Sequence, residues 1–472
     1  PFYNAPLKGR NVIVPAEAAL IGGVKSAGRG WEMLMECLTL GRGISLPSVC
    51  VGISQRIVRV VSCYSKIREQ FGVPIGKFEG VEEKLCRMAG LTHLITATQN
   101  FTLSALNQGI SASLPSAITK YNVTERTRDI VQDGMDLMGG AGIVLGPRNL
   151  IATAYTSLPL AITVEGANIL TRSFIIFGQG FLQNHPLALK EISALEKKDL
   201  STFDKAFSKH LYLIICNIIR GMVLSLGRGW FFLAPGYFGR GHRSIQKIAW
   251  SAALFSYLTN LFFFGFGARL KKKEKLSGRF ADILSHQYIA TALLWNWRAK
   301  GQSKNTWPVV QWGLNYCFQQ IQKALEELLL NLNKPALFIP LNRFLYFLLR
   351  LNPLNATPSD KLSKKVTEAL SKNNAFREEL TDNSLIPTNP KHPLSILEQT
   401  CKLIEKAAPA ANKIKTAIRK KHLPRNPIPL LLDQALDKKI ITSEEYKNLK
   451  EAEQARETAL QVDTFTREEY LP

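Results

Sequence analysis

The sequence predicts a mainly α-helical protein: a short remnant of β structure, then a four-helix bundle, then an additional α-helical C-terminal domain. Three observations predict it. From Trp31 onward apolar residues recur at three- and four-residue spacing, the period of a helix with one buried face. Strand-like patterning is confined to residues 1–30. After His185-Pro186 the β signals vanish and basic residues accumulate. At 472 residues the chain is long enough for two or three domains and a sizeable core.

Residues 1–30 are rich in Gly, Val, Ile and Pro, with Gly22-Gly23 and Gly28-Arg29-Gly30 as turns and a strand expected over Arg10–Val14. So little β structure does not stand alone. The segment therefore reads as the remnant of a larger β domain, and the chain, which opens Pro1-Phe2-Tyr3-Asn4 with no basic-then-apolar leader, as the C-terminal part of a longer protein. Helices are expected over Trp31–Ile44, Leu46–Glu69, Glu79–Gly109 and Leu114–Gly139. Gly72-Val73-Pro74 breaks the second, and Gly139-Gly140-Ala141-Gly142 stops the fourth. A short helix over Leu150–Tyr155 and a final one over Gly166–Gln179 follow. Four long helices with short connections bury their apolar stripes most simply as a bundle. The expected domains are thus 1–30, 31–185 and 186–472.

Net charge is +23, and the first 185 residues hold only +5 of it, leaving +18 for the rest. The second part is the one suited to an anionic partner, a membrane surface or a nucleic acid, with a solvated basic face as the plain alternative. Nucleic acid is disfavoured, because the basic residues lack aromatic interleaving and no recognition-helix, RRM or finger pattern occurs. Trp250–Ala268 runs 19 residues without a charge and is followed by Arg269 and a lysine run, the length and flank of a membrane span. Its Ser, Thr, Asn260 and glycines favour a buried or surface-associated helix instead. Phe338–Leu351 is apolar but too short to span; Lys413–Arg425 is a basic amphipathic run, and Ser443–Thr458 a charged, exposed helix. The seven cysteines are scattered, with no CxxC and no zinc spacing, so a reduced compartment and no metal are expected. The seven histidines form no Ser-His-Asp or Cys-His arrangement that would argue for a hydrolase.

The stretch Ala161–Gly180 (AITVEGANILTRSFIIFGQG) carries the chemistry. Glu165 lies in an apolar run whose only other charge is Arg172. Apolar surroundings raise a carboxylate's pKa, which yields a base able to take a weakly acidic proton near neutral pH. The plain alternatives are an exposed helix-terminal Glu or an ion pair with Arg172.

Three motifs in order then resemble the acyl-CoA dehydrogenases, and most nearly the long gamma-proteobacterial fatty-acid β-oxidation form with an extra C-terminal domain. REQFGVPIGKFEGVEEKLCRMA (Arg68–Ala89) is similar to that family's R-x-x-F-G segment, DGMDLMGGAG (Asp133–Gly142) to its Gly-Gly loop, and VEGANILTR (Val164–Arg172) to the segment bearing its catalytic glutamate. Beyond residue 190, LKKKEKLSGRFADILS and ATPSDKL are similar to the same subgroup. The resemblance implies a flavoenzyme that oxidises fatty acyl-CoA to trans-2-enoyl-CoA. Glu165 would be the base that removes the α-proton, and the β-hydride would pass to FAD. It implies that Arg68, with Gln70 and Phe71, and Gly139 and Gly140 hold the flavin of a neighbouring subunit, and that Gly166 lets the backbone turn beside flavin and substrate. A guanidinium suits phosphate oxygens, although Arg68 also suits a helix C-terminus. Arg42 and Val164 would lie on the substrate side. The implied partners are acyl-CoA, an electron-transfer flavoprotein and a second copy of the chain, in the bacterial cytoplasm and peripheral on the inner membrane. The alternatives are an oxidase-like relative passing electrons to oxygen, or an inactive fragment acting as a basic membrane-associated module. Two positions depart from the pattern: an acid, Asp136, stands where many relatives carry Gln, and Ala167 replaces a common Thr two residues after the base.

Overall fold

A computed structural model describes the chain except residues 1–4, 111, 181–186, 234–238, 355–357, 373, 383 and 471–472. Helices longer than ten residues are labelled in chain order: α1 Gly30–Leu40, α2 Leu46–Ile67, α3 Glu79–Asn107, α4 Ser113–Met138, α5 Leu200–Leu226, α6 His242–Phe266, α7 Glu274–Ala299, α8 Trp307–Asn331, α9 Ile339–Leu351, α10 Asp360–Lys372, α11 Pro393–Arg419 and α12 Ser443–Leu460.

The strand expected over Arg10–Val14 does not form; these residues are irregular and exposed. An extended segment with no neighbouring strand leaves its backbone groups to water, so nothing holds it in a sheet. Among the described residues the only strands are β1 (Glu69–Gln70) and β2 (Val73–Pro74), a two-residue antiparallel ladder pairing Glu69 with Pro74 and Gln70 with Val73. Phe71 and Gly72 turn it with φ of 53° and 76°, the left-handed pair that matches strand twist. Arg456 of α12 ties the hairpin down through Glu69 at 2.8 Å.

Helices α2, α3 and α4 form the bundle. Ser54 of α2 donates to Thr127 of α4 at 3.1 Å, and Gly134 packs against Ile57 and Val61, so α2 and α4 run parallel. Lys84 reaches Asp133 while Thr102 meets Thr119, so α3 runs antiparallel to α4. The two helices expected over Trp31–Ile44 and Leu46–Glu69 are joined rather than separated: a π-helical turn, Gly41–Ser45, connects α1 to α2. The final helix expected over Gly166–Gln179 begins at Asn168 and is π-helical over Thr171–Gln179.

The boundary expected at 185/186 lies outside the described residues. On either side of it the helices share one hydrophobic core, running from Cys50 to Cys401. Phe177 stacks on Phe280 of α7 at 4.5 Å, Arg172 pairs with Asp282 of α7 at 2.6 Å, and Trp312 of α8 packs on Gly90 of α3. Farther along, Arg377 and Arg59 enclose Glu398 of α11 against α2. A smaller cluster, with Ile414, Leu432 and Leu449, joins α11 to α12. Helix α12 opens on a capping box, Thr442 with Glu445.

The uncharged run Trp250–Ala268 lies in α6 up to Phe266, and Trp250, Tyr257 and Phe262 are fully buried, as expected of a core helix. Among the described residues three helical stretches are long and apolar enough, by length and composition, to cross a membrane: Glu32–Ile67, Leu200–Leu226 and His242–Phe266. The first and third have 56% of their apolar window buried inside the protein, the second only 28%.

Candidate active site

Glu165 sits where two short helices meet. Pro159–Thr163 ends at an extended Val164, Glu165 and Gly166 take φ of 58° and 94°, and a helix resumes at Asn168. A left-handed glutamate is strained unless its surroundings hold it, and three groups do. Arg42, buried in the π-turn, donates from Nε to the Glu165 carbonyl at 2.7 Å. Lys120 of α4, also buried, donates from Nζ to the Gly166 carbonyl and to Asn168 Oδ1, each at 2.8 Å. Asn168 in turn donates to Thr124 and Glu125 at 3.0 and 2.7 Å. A Cβ on Gly166 would come within 2.8 Å of Arg42 Nη2, so glycine answers both to the backbone and to the arginine.

The carboxylate folds back onto the π-turn, where a Cβ on Gly41 would collide with Glu165 Oε1. Its other oxygen, Oε2, is buried with no hydrogen-bond partner among the described residues. Burial raises the Glu165 pKa, while the charges of Lys120 and Arg42 work in the other direction. Burial also lowers Lys120 to about 8, with Arg42 adding to the effect. The result is a half-buried carboxylate with one free oxygen and two cations near its backbone. It is not paired with Arg172, which is committed to Asp282.

The other expected residues lie at the far end of the bundle. Arg42 and Arg68 stand at opposite ends of α2, whose 22 residues span about 33 Å. Arg68 caps the C-terminus of α2, and its guanidinium donates to the Gln70 side-chain oxygen when that amide is oriented to accept. Phe71 projects into solvent at the hairpin tip, 95% exposed. Because α2 and α4 are parallel, Gly139 and Gly140 lie at this same end. Gly139 has φ 56° and ψ −132°, and neither glycine has an atom within 4 Å of an added Cβ. Asp136 faces Lys84 at 2.7 Å, which neutralises the departure from the family pattern at that position. Val164 is partly buried beside the turn. The expected residues thus form two groups: Arg42, Val164, Glu165 and Gly166 at one end, and Arg68, Gln70, Phe71, Gly139 and Gly140 at the other.

Sequence reasoning missed Lys120 and Asn168. The signal was present for the lysine, which closes a run of 32 residues, Met88–Thr119, without Asp, Glu, Lys or Arg. A lone cation after so long an uncharged run is a candidate for burial with a purpose.

A helical bundle with a free carboxylate on a left-handed Glu-Gly turn at one end, and bare Gly-Gly backbone at the other, has the architecture of an acyl-CoA dehydrogenase C-terminal region. The chain belongs to that family. The family model described as "Acyl-CoA dehydrogenase, C-terminal, bacterial type" matches residues 182–465, and "Acyl-CoA dehydrogenase, C-terminal domain" matches residues 28–176. Over 186 residues the chain is 28% identical to the mitochondrial very long-chain specific acyl-CoA dehydrogenase of Bos taurus, covering 39% of this chain and 26% of that protein. A stretch of 52 residues is 56% identical to protein HemX of Proteus mirabilis, covering 11% of this chain and 30% of that one. The fold is similar to an acyl-CoA dehydrogenase from Bacillus anthracis complexed with FAD, with a TM-score of 0.56 at 16% identity, over 75% of this chain and 57% of that one. The chain spans roughly a quarter to a third of the length of the curated relatives it matches.

Proposed function

We propose that this chain supplies the catalytic base and part of the flavin site of an acyl-CoA dehydrogenase of fatty-acid β-oxidation. The observation that carries the reading is the Glu165 carboxylate: half-buried, raised in pKa, held on a left-handed turn, with Oε2 unpartnered. Such a group is a base waiting for a proton that a substrate must bring.

The residues fit FAD as cofactor. Gly139 and Gly140 leave open space and accessible backbone where a phosphate would lie, and the Arg68 guanidinium at the same end matches phosphate geometry. Since the length of α2, about 33 Å, separates that end from Glu165, one protomer does not hold a single flavin with both groups. Two copies sharing each site account for the separation, so the active form is a homodimer or larger. FAD, held there, would supply the acceptor for the hydride lost from Cβ. Glu165 removes the proton from Cα as that hydride leaves, and the electron pair of the Cα–H bond becomes the new double bond of trans-2-enoyl-CoA. Lys120 and Arg42 hold the Glu165 turn in place and temper its pKa. Burial keeps the carboxylate free of competing water.

The electron acceptor in this reading is an electron-transfer flavoprotein. The enzyme would work in the bacterial cytoplasm, peripheral on an anionic inner-membrane surface, which the +18 charge beyond residue 185 and the exposed apolar face of α5 favour.

The test takes the longest natural polypeptide containing these residues, with FAD, and follows flavin absorbance on addition of palmitoyl-CoA. Bleaching is expected, and Glu165→Gln is expected to slow it by about 10²–10⁴-fold. Bleaching at the unaltered rate in that variant would remove Glu165 from the reaction. Peroxide formed in air without an added acceptor would assign the protein to the oxidases instead.

A further inference from the structure

Helix α5 has a face that the described residues of the chain do not cover. Phe207, Leu211, Ile215, Ile219, Val223 and Leu226 recur at four- and three-residue spacing and are all exposed, Ile215 and Ile219 by 56% and 53%. That spacing makes a single stripe about 29 Å long. Arg220 is the only charged residue between positions 211 and 227. The apolar surface continues into Trp230, 60% exposed with the Arg243 guanidinium 4.3 Å above its ring, and Phe231. Helix α9, which packs beside α5, adds Leu337 from the turn before it, then Phe344, Phe347 and Leu351, all exposed. Soluble monomers rarely expose a contiguous apolar patch larger than roughly a few hundred Å² without using it.

The opposite face of α5 is anchored. His210 is buried between Glu191 at 2.8 Å and Asn260 of α6 at 3.1 Å, and Trp250 of α6 donates to Ser225 at 3.0 Å. Leaving these partners to cross a bilayer would strand buried polar groups. The helix is therefore built to lie along a surface, not to span one.

Charge says which surface. Beside the C-terminus of α6 lies a cavity of 610 Å³; its described lining includes Arg269, Lys272, Lys273, Lys275 and Lys334, and no carboxylate. A sixth cation, Arg279, is paired with Glu327. The cavity adjoins the apolar face, because Gly265 abuts the Lys334 backbone and flanks the exposed Phe264, with Leu337 three residues beyond Lys334. A second copy of the chain docked here would bring two strongly basic rims into one interface, which like charge opposes. A sheet of lipid phosphates neutralises them, while the apolar stripe enters the boundary between headgroups and acyl chains.

We propose that α5, α9 and the basic cavity form one membrane-docking face, with α5 lying in the plane of an anionic phospholipid surface. This rests on the membrane-surface reading given above and assigns it to particular residues.

The test is flotation of the chain with vesicles of phosphatidylcholine alone, and with vesicles of equal parts phosphatidylcholine and phosphatidylglycerol. Two variants accompany it: Ile215→Asp with Ile219→Asp, and Lys272→Glu with Lys273→Glu. All four sites are at the surface, so circular dichroism and melting should match the parent. Binding is expected only to the anionic vesicles, weakened by salt, and reduced about tenfold or more in each variant. If the parent chain binds neither vesicle, the membrane reading itself fails. If the parent binds and the isoleucine variant binds equally well, that reading stands and the face assigned here is wrong. Lipid-free dimerisation that the isoleucine variant abolishes would make a second copy the occupant and also overturn the assignment.

Discussion

The ammonium of Lys120 donates to the carbonyl oxygen of Gly166 at 2.8 Å, one residue beyond the Glu165 carboxylate. A buried cation on α4 is thereby coupled to a left-handed turn 46 residues away in sequence. Lys120→Met removes both the anchor and a charge that lowers the Glu165 pKa. The acid limb of the kcat/KM profile should move to higher pH, because the base must be ionised to act. Lys120→Arg should restore it in part. Steady-state rates across the acid range check this.

Lys120 also leaves a mark on stability. Its folded pKa of about 8 lies below its ordinary 10.5, so between those values the unfolded chain binds more protons. Its contribution to stability therefore rises with pH across that window. Urea midpoints of the parent should carry this rise, and those of Lys120→Met should lack it.

Glu165→Gln should slow the reaction and yet stabilise the fold at neutral pH. The folded carboxyl is raised above its ordinary 4.5 by burial, so its contribution is complete below that value and declines as pH rises through the folded pKa. A neutral amide escapes the decline. The difference in urea midpoint between variant and parent should be visible at neutral pH and vanish in acid.

Two glycines with positive φ should respond differently to alanine. Gly166→Ala and Gly139→Ala each force a side chain into a left-handed backbone, at a cost of roughly 1–2 kcal/mol. Only Gly166→Ala also pushes on Arg42, whereas Gly139 faces open space. The larger loss in chemical denaturation is expected for the Gly166 variant, with a fall in kcat while FAD is retained; the Gly139 variant is expected to weaken FAD retention on gel filtration instead.

Arg377 donates to Glu398, Ser62 and Cys63 inside the protein. Burial alone would raise the Glu398 pKa, but Arg377 and Arg59 together hold it below its ordinary value. Arg377→Met should cost about 3 kcal/mol by leaving that carboxylate half-paired. A carboxylate held low loses its stabilising effect as pH falls through its folded pKa, so the variant should begin to unfold at a higher pH than the parent. Acid titration by circular dichroism checks both.

Gly90 of α3 lies under the ring of Trp312, which stacks on Tyr316 at 5.6 Å. Gly90→Ala should displace the indole and cost about 1–3 kcal/mol. Trp312→Leu combined with it should recover part of the loss, because the smaller side chain leaves room for the methyl group.

Helices were legible because period is a local property. The apolar spacing of α2, α3 and α4 marks their extents within two or three residues, and Gly72-Val73-Pro74 and Gly139-Gly140 mark two of their ends. The π-turn at Gly41–Ser45 was not legible, since one wider turn leaves a helical pattern looking merely irregular. The β expectation at Arg10–Val14 failed for the complementary reason: strand patterning is a promise of a neighbour, and no described residue pairs with this segment. The apolar run of α6 drew notice by its lack of charge and proved to be core, while the helix with the exposed apolar face, α5, carries enough Lys and Asp near its start to look ordinary.

Motif and composition by themselves determined the helical class, the family resemblance, the basic second half, and Glu165 as the candidate base. Only the tertiary structure decided that Lys120 and Arg42 converge on the Glu165 turn, that Arg68 and Gly139–Gly140 stand at the opposite end of the bundle, and that α7 and α8 share the bundle's core. Spacing along a chain governs which side chains share a helix face. Which faces then meet, and how far a charge lies from water, depends on contacts between residues tens to hundreds of positions apart, and those exist only once the chain has packed.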